Sequence, residues 1–274
     1  MPELPEVEVL RRSLEPLVLG DRVTAIRVDE ARLRERVDLQ NLEALTLGRK
    51  FLATRRRAKY LLLDLERGST AVVHLGMSGR LTVTDRDSPL LKHEHVSFGL
   101  ESGRRLRFSD TRRFGLVFAL ESRDVETDRH FSHLGIEPLD SELSGDFLRA
   151  TARGRRGPVK NFLMNGQIVV GVGNIYACEA LYRAGIHPSR SVSRISIGRW
   201  RRLADAVRTT LQDAIDQGGT TLNDFADALG QEGTFRVALD VYGRGDETCN
   251  RCGGTVRRIV QAGRSTFYCP GCQH

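Results

Sequence analysis

Lysine is nearly missing from this 274-residue chain. Of its 42 Lys and Arg residues only four are lysine: Lys50, Lys59, Lys92 and Lys160. Genome-wide codon bias accounts for the total, but each surviving lysine marks a place where a compact ammonium serves better than a guanidinium fork. Long apolar runs are missing too. None approaches the ~20 residues of a membrane-spanning helix, which excludes that class. The acidic first residues lack the layout of a secretion signal, so a cytoplasmic protein is expected. Cysteine is scarce: Cys178 stands alone, and Cys249, Cys252, Cys269 and Cys272 crowd the C-terminal end. In a reducing compartment such a cluster reads as a metal site rather than disulfides.

Positive charge is what the chain does have. A net charge of +7 favours a polyanionic partner without saying which. The length allows two domains with cores of their own. Residues 3–19 predict a helix, because Val7, Leu10, Leu14 and Leu17 recur at helical spacing and Gly20 can end it. Strands follow over Val23–Val28, Tyr60–Leu65, Thr70–His74, Arg80–Val83, His95–Leu100, Arg105–Phe108 and Gly115–Leu120. Many short strands with tight turns predict an antiparallel sandwich with the first helix packed on it. The polar stretch 121–145 suits a linker. Helices are then predicted from Val159, over Asn174–Ala184, and along the stripe Trp200, Leu203, Val207, Leu211 and Ile215, closed by Gly218-Gly219. Residues 220–240 read as loop.

The strongest chemical signal is Cys249-x2-Cys252-x16-Cys269-x2-Cys272. Two CxxC knuckles can bring four thiolates round one tetrahedral Zn²⁺, and four thiolates leave no open position, so the expected role is structural. The segment between them alternates like a hairpin, with Gln261-Ala262-Gly263-Arg264 as its tip. Arg264 is either a solvated turn cation or an arginine held to grip a phosphate. Asn174, after the turn Gly171-Val172-Gly173, sits at a helix N-terminus that could hold an anion. Lys160 and the cluster Arg153, Arg155, Arg156 precede it and predict a phosphate-binding face; a capping Asn beside a solvated basic loop is the plainer alternative.

The chain opens Met1-Pro2-Glu3-Leu4-Pro5-Glu6-Val7-Glu8. Proline at position two lets methionine aminopeptidase remove Met1, leaving a secondary amine beside Glu3. Such an amine adds to an electrophilic carbon to give an iminium, cationic at any pH and a strong electron sink. An α-amino group titrates near ~8 against ~10.4 for lysine, so a useful fraction is neutral at pH 7. Pro and Glu equally suit the first turn of a helix, and these eight residues alone favour that plainer reading.

Taken together, the opening octapeptide, Ala58-Lys59-Tyr60, His74-Leu75-Gly76-Met77-Ser78-Gly79, Lys92-His93-Glu94-His95, Asp110-Thr111-Arg112-Arg113-Phe114-Gly115, Gly171-Val172-Gly173-Asn174-Ile175-Tyr176, Gly219-Thr220-Thr221-Leu222, Val241-Tyr242-Gly243-Arg244 and the cysteine tail occur in an order that resembles the bacterial formamidopyrimidine-DNA glycosylases over essentially the whole chain. The resemblance implies an α+β fold: an N-terminal antiparallel β-sandwich with a leading helix (1–133), a helix–two-turn–helix DNA-binding domain with a lesion-capping loop (134–240) and a C-terminal zinc-finger hairpin (241–274). DNA would lie in the cleft between domains. It implies a bifunctional glycosylase/AP lyase of base excision repair that removes 8-oxoguanine and formamidopyrimidines from damaged double-stranded DNA. The expected chain is a zinc-bearing monomer, cytoplasmic and nucleoid-associated, with no membrane partner.

The same resemblance assigns residues. Pro2 would attack the sugar C1′, and Glu3 would protonate the opening sugar. Lys59 would assist β-elimination and Arg264 δ-elimination, both also gripping phosphates. A flipped base leaves a hole, and Met77, Arg112 and Phe114 match the wedge that fills it; core packing is the plainer reading of Met77 and Phe114. His93, Arg156, Lys160 and Asn174 match phosphate contacts, and residues about 224–232 the cap over the extruded base. Glu6 would support the site indirectly. Arg156 and Asn223 stand where enterobacterial relatives carry lysine. Two rivals remain: the sister glycosylase for oxidised pyrimidines, and a zinc-ribbon DNA-binding protein without catalysis.

Overall fold

The computed structural model describes residues 2–219, 228 and 239–274. These form two compact units: residues up to Ser132 with Gly218, Gly219 and Ala228, and His133–Gln217 with 239–274.

The first unit begins with α1 (Leu4–Val18), which buries Val7, Leu10, Leu14 and Val18 along one stripe. Its outer face is laced by Glu8 to Arg11 and Arg12, each at 3.0 Å. Then come β1 (Val23–Val28), α2 (Leu39–Thr46), β2 (Phe51–Arg57), β3 (Tyr60–Leu65), β4 (Ser69–His74), β5 (Gly79–Asp85), β6 (Glu94–Leu100), β7 (Arg104–Asp110) and β8 (Leu116–Glu121). The strands make two four-stranded antiparallel sheets, ordered β1-β6-β7-β5 and β2-β3-β4-β8. Alternate residues of both sheets enter one core with the α1 stripe, among them Leu61, Leu63 and Leu65, then Val96, Phe98 and Leu100, then Leu106 and Phe108. The period of two sends each of these series to one face of its sheet, which yields the expected sandwich.

Two elements of this unit are additions to the sequence reading. In β2 the register shifts between Phe51 and Ala53, which breaks the alternation, and the strand ends in three arginines. In α2 only Leu42 and Thr46 are buried, and Asp38 caps it by accepting the Asn41 N–H at 3.1 Å.

The second unit holds α3 (Gly145–Thr151), α4 (Val159–Leu163), α5 (Asn174–Ala184), α6 (Ile197–Asp216), β9 (Arg257–Gln261) and β10 (Arg264–Tyr268). The predicted stripe of α6 is buried, and Trp200 meets Phe162 with ring centroids 5.5 Å apart. Cys178 and Tyr182 of α5 share a core with Val241, Cys249, Val256 and Cys269, so helix and hairpin are packed together. The stretch 121–145 holds the boundary between the two units, at Ser132 and His133, and it is anchored on both sides of it. Val125, Phe131 and Leu143 are buried, and the last residue opens α3, which sequence periodicity left unseen. No helix among the described residues is long and apolar enough to cross a membrane. Asn223 and the expected cap at 224–232 lie outside the described residues, apart from Ala228. That residue is buried, its carbonyl accepting from Val83 N at 2.7 Å and its N–H donating to Ser13 Oγ at 3.2 Å.

Candidate functional site

Pro2 is buried and immediately precedes Glu3, the N-cap of α1. The buried Glu6 carboxylate accepts the Glu3 backbone N–H at 2.8 Å. This fixes the peptide that joins Pro2 to Glu3.

Lys59 lies in the two-residue turn of the β2–β3 hairpin, whose closing pair is Arg57 with Tyr60. Its neighbour Ala58 is buried at φ 54°. A non-glycine residue held in the left-handed region is a stiff, deliberate turn, so the Lys59 stem starts from a fixed point. On the adjoining strand, Tyr60 pairs with His74, ring centroids 4.8 Å apart. Burial, then the charges of Arg34, Lys59 and His130, push His74 down to about 4. The neutral ring's Nδ1 accepts the Gly76 N–H at 3.0 Å, which shapes the turn before Met77.

A stability prediction follows from His74. The folded state binds fewer protons than the unfolded chain between about 4 and about 6.5. Stability from this group is therefore full above about 6.5 and is lost as pH falls toward 4. Urea unfolding should show on the order of 2 kcal/mol of loss from it between pH 7 and 4.5. His74→Gln should flatten that slope; an unchanged slope would contradict the assignment.

Met77 is half-buried and Arg112 exposed, while Phe114 is 44% exposed. Phe114 therefore stands outside the core. The Arg112 guanidinium lies 5.0 Å from the Phe114 ring centroid, a cation–π contact. His93 is half-buried at φ 61°, and its carbonyl accepts the Asp110 N–H at 3.0 Å. Beside it, Glu94 forms a buried ion pair with Arg107, Nε to Oε2 at 2.7 Å. That pair anchors the strand entering from the His93 turn.

In the second unit Lys160, Asn174 and β10 are brought together. Lys160 is only 1% exposed and donates to Asn174 Oδ1 at 2.5 Å and Thr266 Oγ1 at 2.6 Å. Asn174 Nδ2 donates to the Ser265 carbonyl at 2.9 Å. Gly173, not Asn174, is the N-cap of α5, so the Asn side chain is directed to the hairpin rather than to its own helix. Arg264 is exposed and pairs with Gln261 across the two-residue turn Ala262-Gly263, both at positive φ. That is the turn geometry matching strand twist, and it places Gln261 and Arg264 in the paired strands rather than at the tip. Arg153, Arg155 and Arg156 are exposed. Sequence reasoning gave Glu179 no role, yet its buried carboxylate accepts the N–H groups of Asp240, Val241 and Tyr242 at 2.8–3.0 Å. A lone helical Glu carries no sequence signal of that work.

Cys249, Cys252, Cys269 and Cys272 place their four sulfurs within 4.8 Å of one another. Tetrahedral Zn–S bonds of ~2.3 Å set sulfurs about 3.8 Å apart, and the Cys249–Cys272 and Cys252–Cys269 pairs lie at 3.9 and 3.5 Å. Cys178 is buried at the edge of the same core and is not one of the four.

Three family models match the chain: the formamidopyrimidine-DNA glycosylase N-terminal domain over residues 1–117, the H2TH domain of the same glycosylase over 134–226, and the zinc finger found in FPG and IleRS over 246–274. Formamidopyrimidine-DNA glycosylases of Syntrophotalea carbinolica and Xanthomonas campestris are 50% and 48% identical to it, each over 273 residues and 100% of both chains. The Lactococcus lactis Fpg solved with DNA containing N7-benzyl-Fapy-dG superposes with a TM-score of 0.92 at 31% identity, covering 100% of both chains. The chain belongs to the formamidopyrimidine-DNA glycosylase family. It is accordingly an enzyme of DNA base excision repair, and its four clustered cysteines form one structural zinc site.

Proposed function

We propose that this protein is a bifunctional DNA glycosylase/AP lyase that excises 8-oxoguanine and formamidopyrimidines from duplex DNA and then cuts the strand. One observation carries the reading: a buried Pro2 beside Glu3, whose amide is fixed by the buried Glu6 at 2.8 Å. With Met1 removed, the Pro2 nitrogen attacks C1′ of the damaged nucleotide and the base departs. Glu3 delivers a proton to the opening sugar and shuttles protons afterwards. The resulting iminium acidifies the C2′ proton, so β-elimination breaks the 3′ phosphate bond and δ-elimination the 5′ bond. Lys59, on its stiff turn, and Arg264, on the hairpin, grip the phosphates and assist the two eliminations. Arg156, Asn174 and His93 hold the backbone. Lys160 serves through Asn174 and Thr266, aligning α5 with the hairpin. The zinc, held by the four cysteines, fixes the hairpin's shape and takes no part in bond making. The chain acts as a monomer.

Met77, Arg112 and Phe114 fill the gap left by the flipped base. Burying an aromatic wedge of that size is worth roughly 1.5–3 kcal/mol, or about 10- to 100-fold. Phe114→Ala should therefore slow processing of an 8-oxoguanine duplex at least about tenfold. A pre-formed abasic site should lose much less; equal losses would count against the wedge.

A lesion panel tests the substrate class. Release of 8-oxoguanine opposite cytosine and of formamidopyrimidines should exceed release of thymine glycol. The reverse order would move the protein to the oxidised-pyrimidine branch, and strong binding without any base release would make it a non-catalytic DNA-binding protein.

A further inference from the structure

We propose that Asp110 is the positioning residue of the wedge, its buried carboxylate locking the Met77 turn to the Arg112–Phe114 turn so that three side chains enter DNA as one rigid piece. This rests on the wedge reading above. Asp110 is the last residue of β7 and pairs with Gly79, the first residue of β5. The ends of these two strands thus bring both turns to one edge of the sheet. Asp110 is only 1% exposed. Its Oδ1 accepts the Ser78 hydroxyl at 2.6 Å and the Arg112 N–H at 3.2 Å, and its Oδ2 accepts the Gly115 N–H at 2.8 Å. Ser78 Oγ also accepts the Arg112 N–H at 3.1 Å, closing a ring between the two turns. From the far side, His95 Nε2 donates to the Asp110 carbonyl at 2.7 Å.

The clamp holds a conformation that would not persist alone. Arg113 sits at φ 57°, in a region L side chains avoid, and its guanidinium is drawn aside to Glu30 at 3.1 Å. The two Asp110 oxygens bond the backbone on either side of it. Gly76 lies at φ 64°, and a Cβ there would fall 2.4 Å from the Phe114 carbonyl carbon. The two turns therefore meet backbone to backbone, and a methyl group would part them. Burying a carboxylate is costly unless every oxygen is paired, and here both are. Strain held in this way is found where geometry matters for function. A wedge misplaced by ~1 Å forfeits most of its effect, as misplaced reacting groups do.

The test compares two substrates in single-turnover assays: an 8-oxoguanine:cytosine duplex, which needs a base displaced, and a single-stranded abasic oligonucleotide, which does not. Asp110→Asn retains shape but offers one acceptor oxygen in place of two. It should slow the duplex reaction roughly 30-fold and the single-strand reaction less than about threefold. Discrimination by the opposite base should weaken as well, because Arg112 loses its fixed direction. Ser78→Ala removes the Ser78 links to Asp110 and to the Arg112 N–H but leaves both direct Asp110 bonds to the strained turn, and should show a smaller loss of the same selectivity. Equal losses on both substrates, or none, would overturn the positioning role. Should Asp110→Asn fail to fold, Ser78→Ala decides by the same criterion. Phe114→Ala is run alongside. A selective loss there with none at Asp110 overturns this proposal alone; no selective loss at Phe114 removes the wedge reading and the proposal with it.

Discussion

Pro2→Gly should lower 8-oxoguanine excision by on the order of 10³-fold or more, about 4 kcal/mol of transition-state stabilisation. The substitution keeps an amine at the terminus but changes what it can form. A secondary amine yields an iminium that is cationic at every pH, whereas glycine yields an imine that must first gain a proton. Glycine also frees a buried backbone position, so the nitrogen is no longer held in one direction. The fold should survive. The stripe of α1 begins at Leu4 and its N-cap is Glu3, both downstream of the change. Single-turnover assays on protein with an unchanged melting curve check this; turnover near wild type would remove Pro2 as nucleophile.

Cys269→Ser should release the zinc and weaken DNA binding at least about tenfold. Cys269 is fully buried and lies in the core that joins α5 to the hairpin. A structural zinc is worth roughly 10–16 kcal/mol in isolated fingers. The paired strands β9 and β10 have only five residues each, too few to stay folded on their own. Losing the metal should free Arg264 and the oxygens of Ser265 and Thr266 that Asn174 and Lys160 hold. The sandwich unit should keep its core, because none of its residues belongs to this cluster. Cys178→Ser is the contrast: it should retain one zinc per chain, since Cys178 is not among the four ligands. Metal analysis with a binding titration decides, and full zinc retention in Cys269→Ser would contradict the four-thiolate site.

Much of this was legible because local chemistry and global fold agree. The α1 stripe, the alternating apolar strands and the doubled CxxC each need only neighbours in sequence to be read. The parts that were not legible depend on partners brought from far along the chain. Strand β2 hides behind a register shift and three arginines, and its burial is decided by β3 rather than by its own pattern. Lys160 reads as part of a phosphate-binding face with Arg153, Arg155 and Arg156; its burial has no local signal, because Thr266, over a hundred residues away, draws its ammonium inside. Asn174 reads as part of an anion site at a helix N-terminus, with a capping Asn as the plainer alternative; that its amide goes to Ser265, 91 residues on, is set by the fold. Asp110 carried no sign of its role, because the pairing with Gly79 that brings Ser78 to it is a property of the sheet.

The central claim is that Pro2 forms the covalent link to damaged DNA. Borohydride trapping tests it most directly, on protein shown by N-terminal sequencing to begin at Pro2, with 8-oxoguanine:cytosine, thymine glycol and undamaged duplexes. One reduced adduct per chain is expected, mapped to Pro2 and strongest with 8-oxoguanine. No adduct, or one mapped to a lysine such as Lys59, would contradict it.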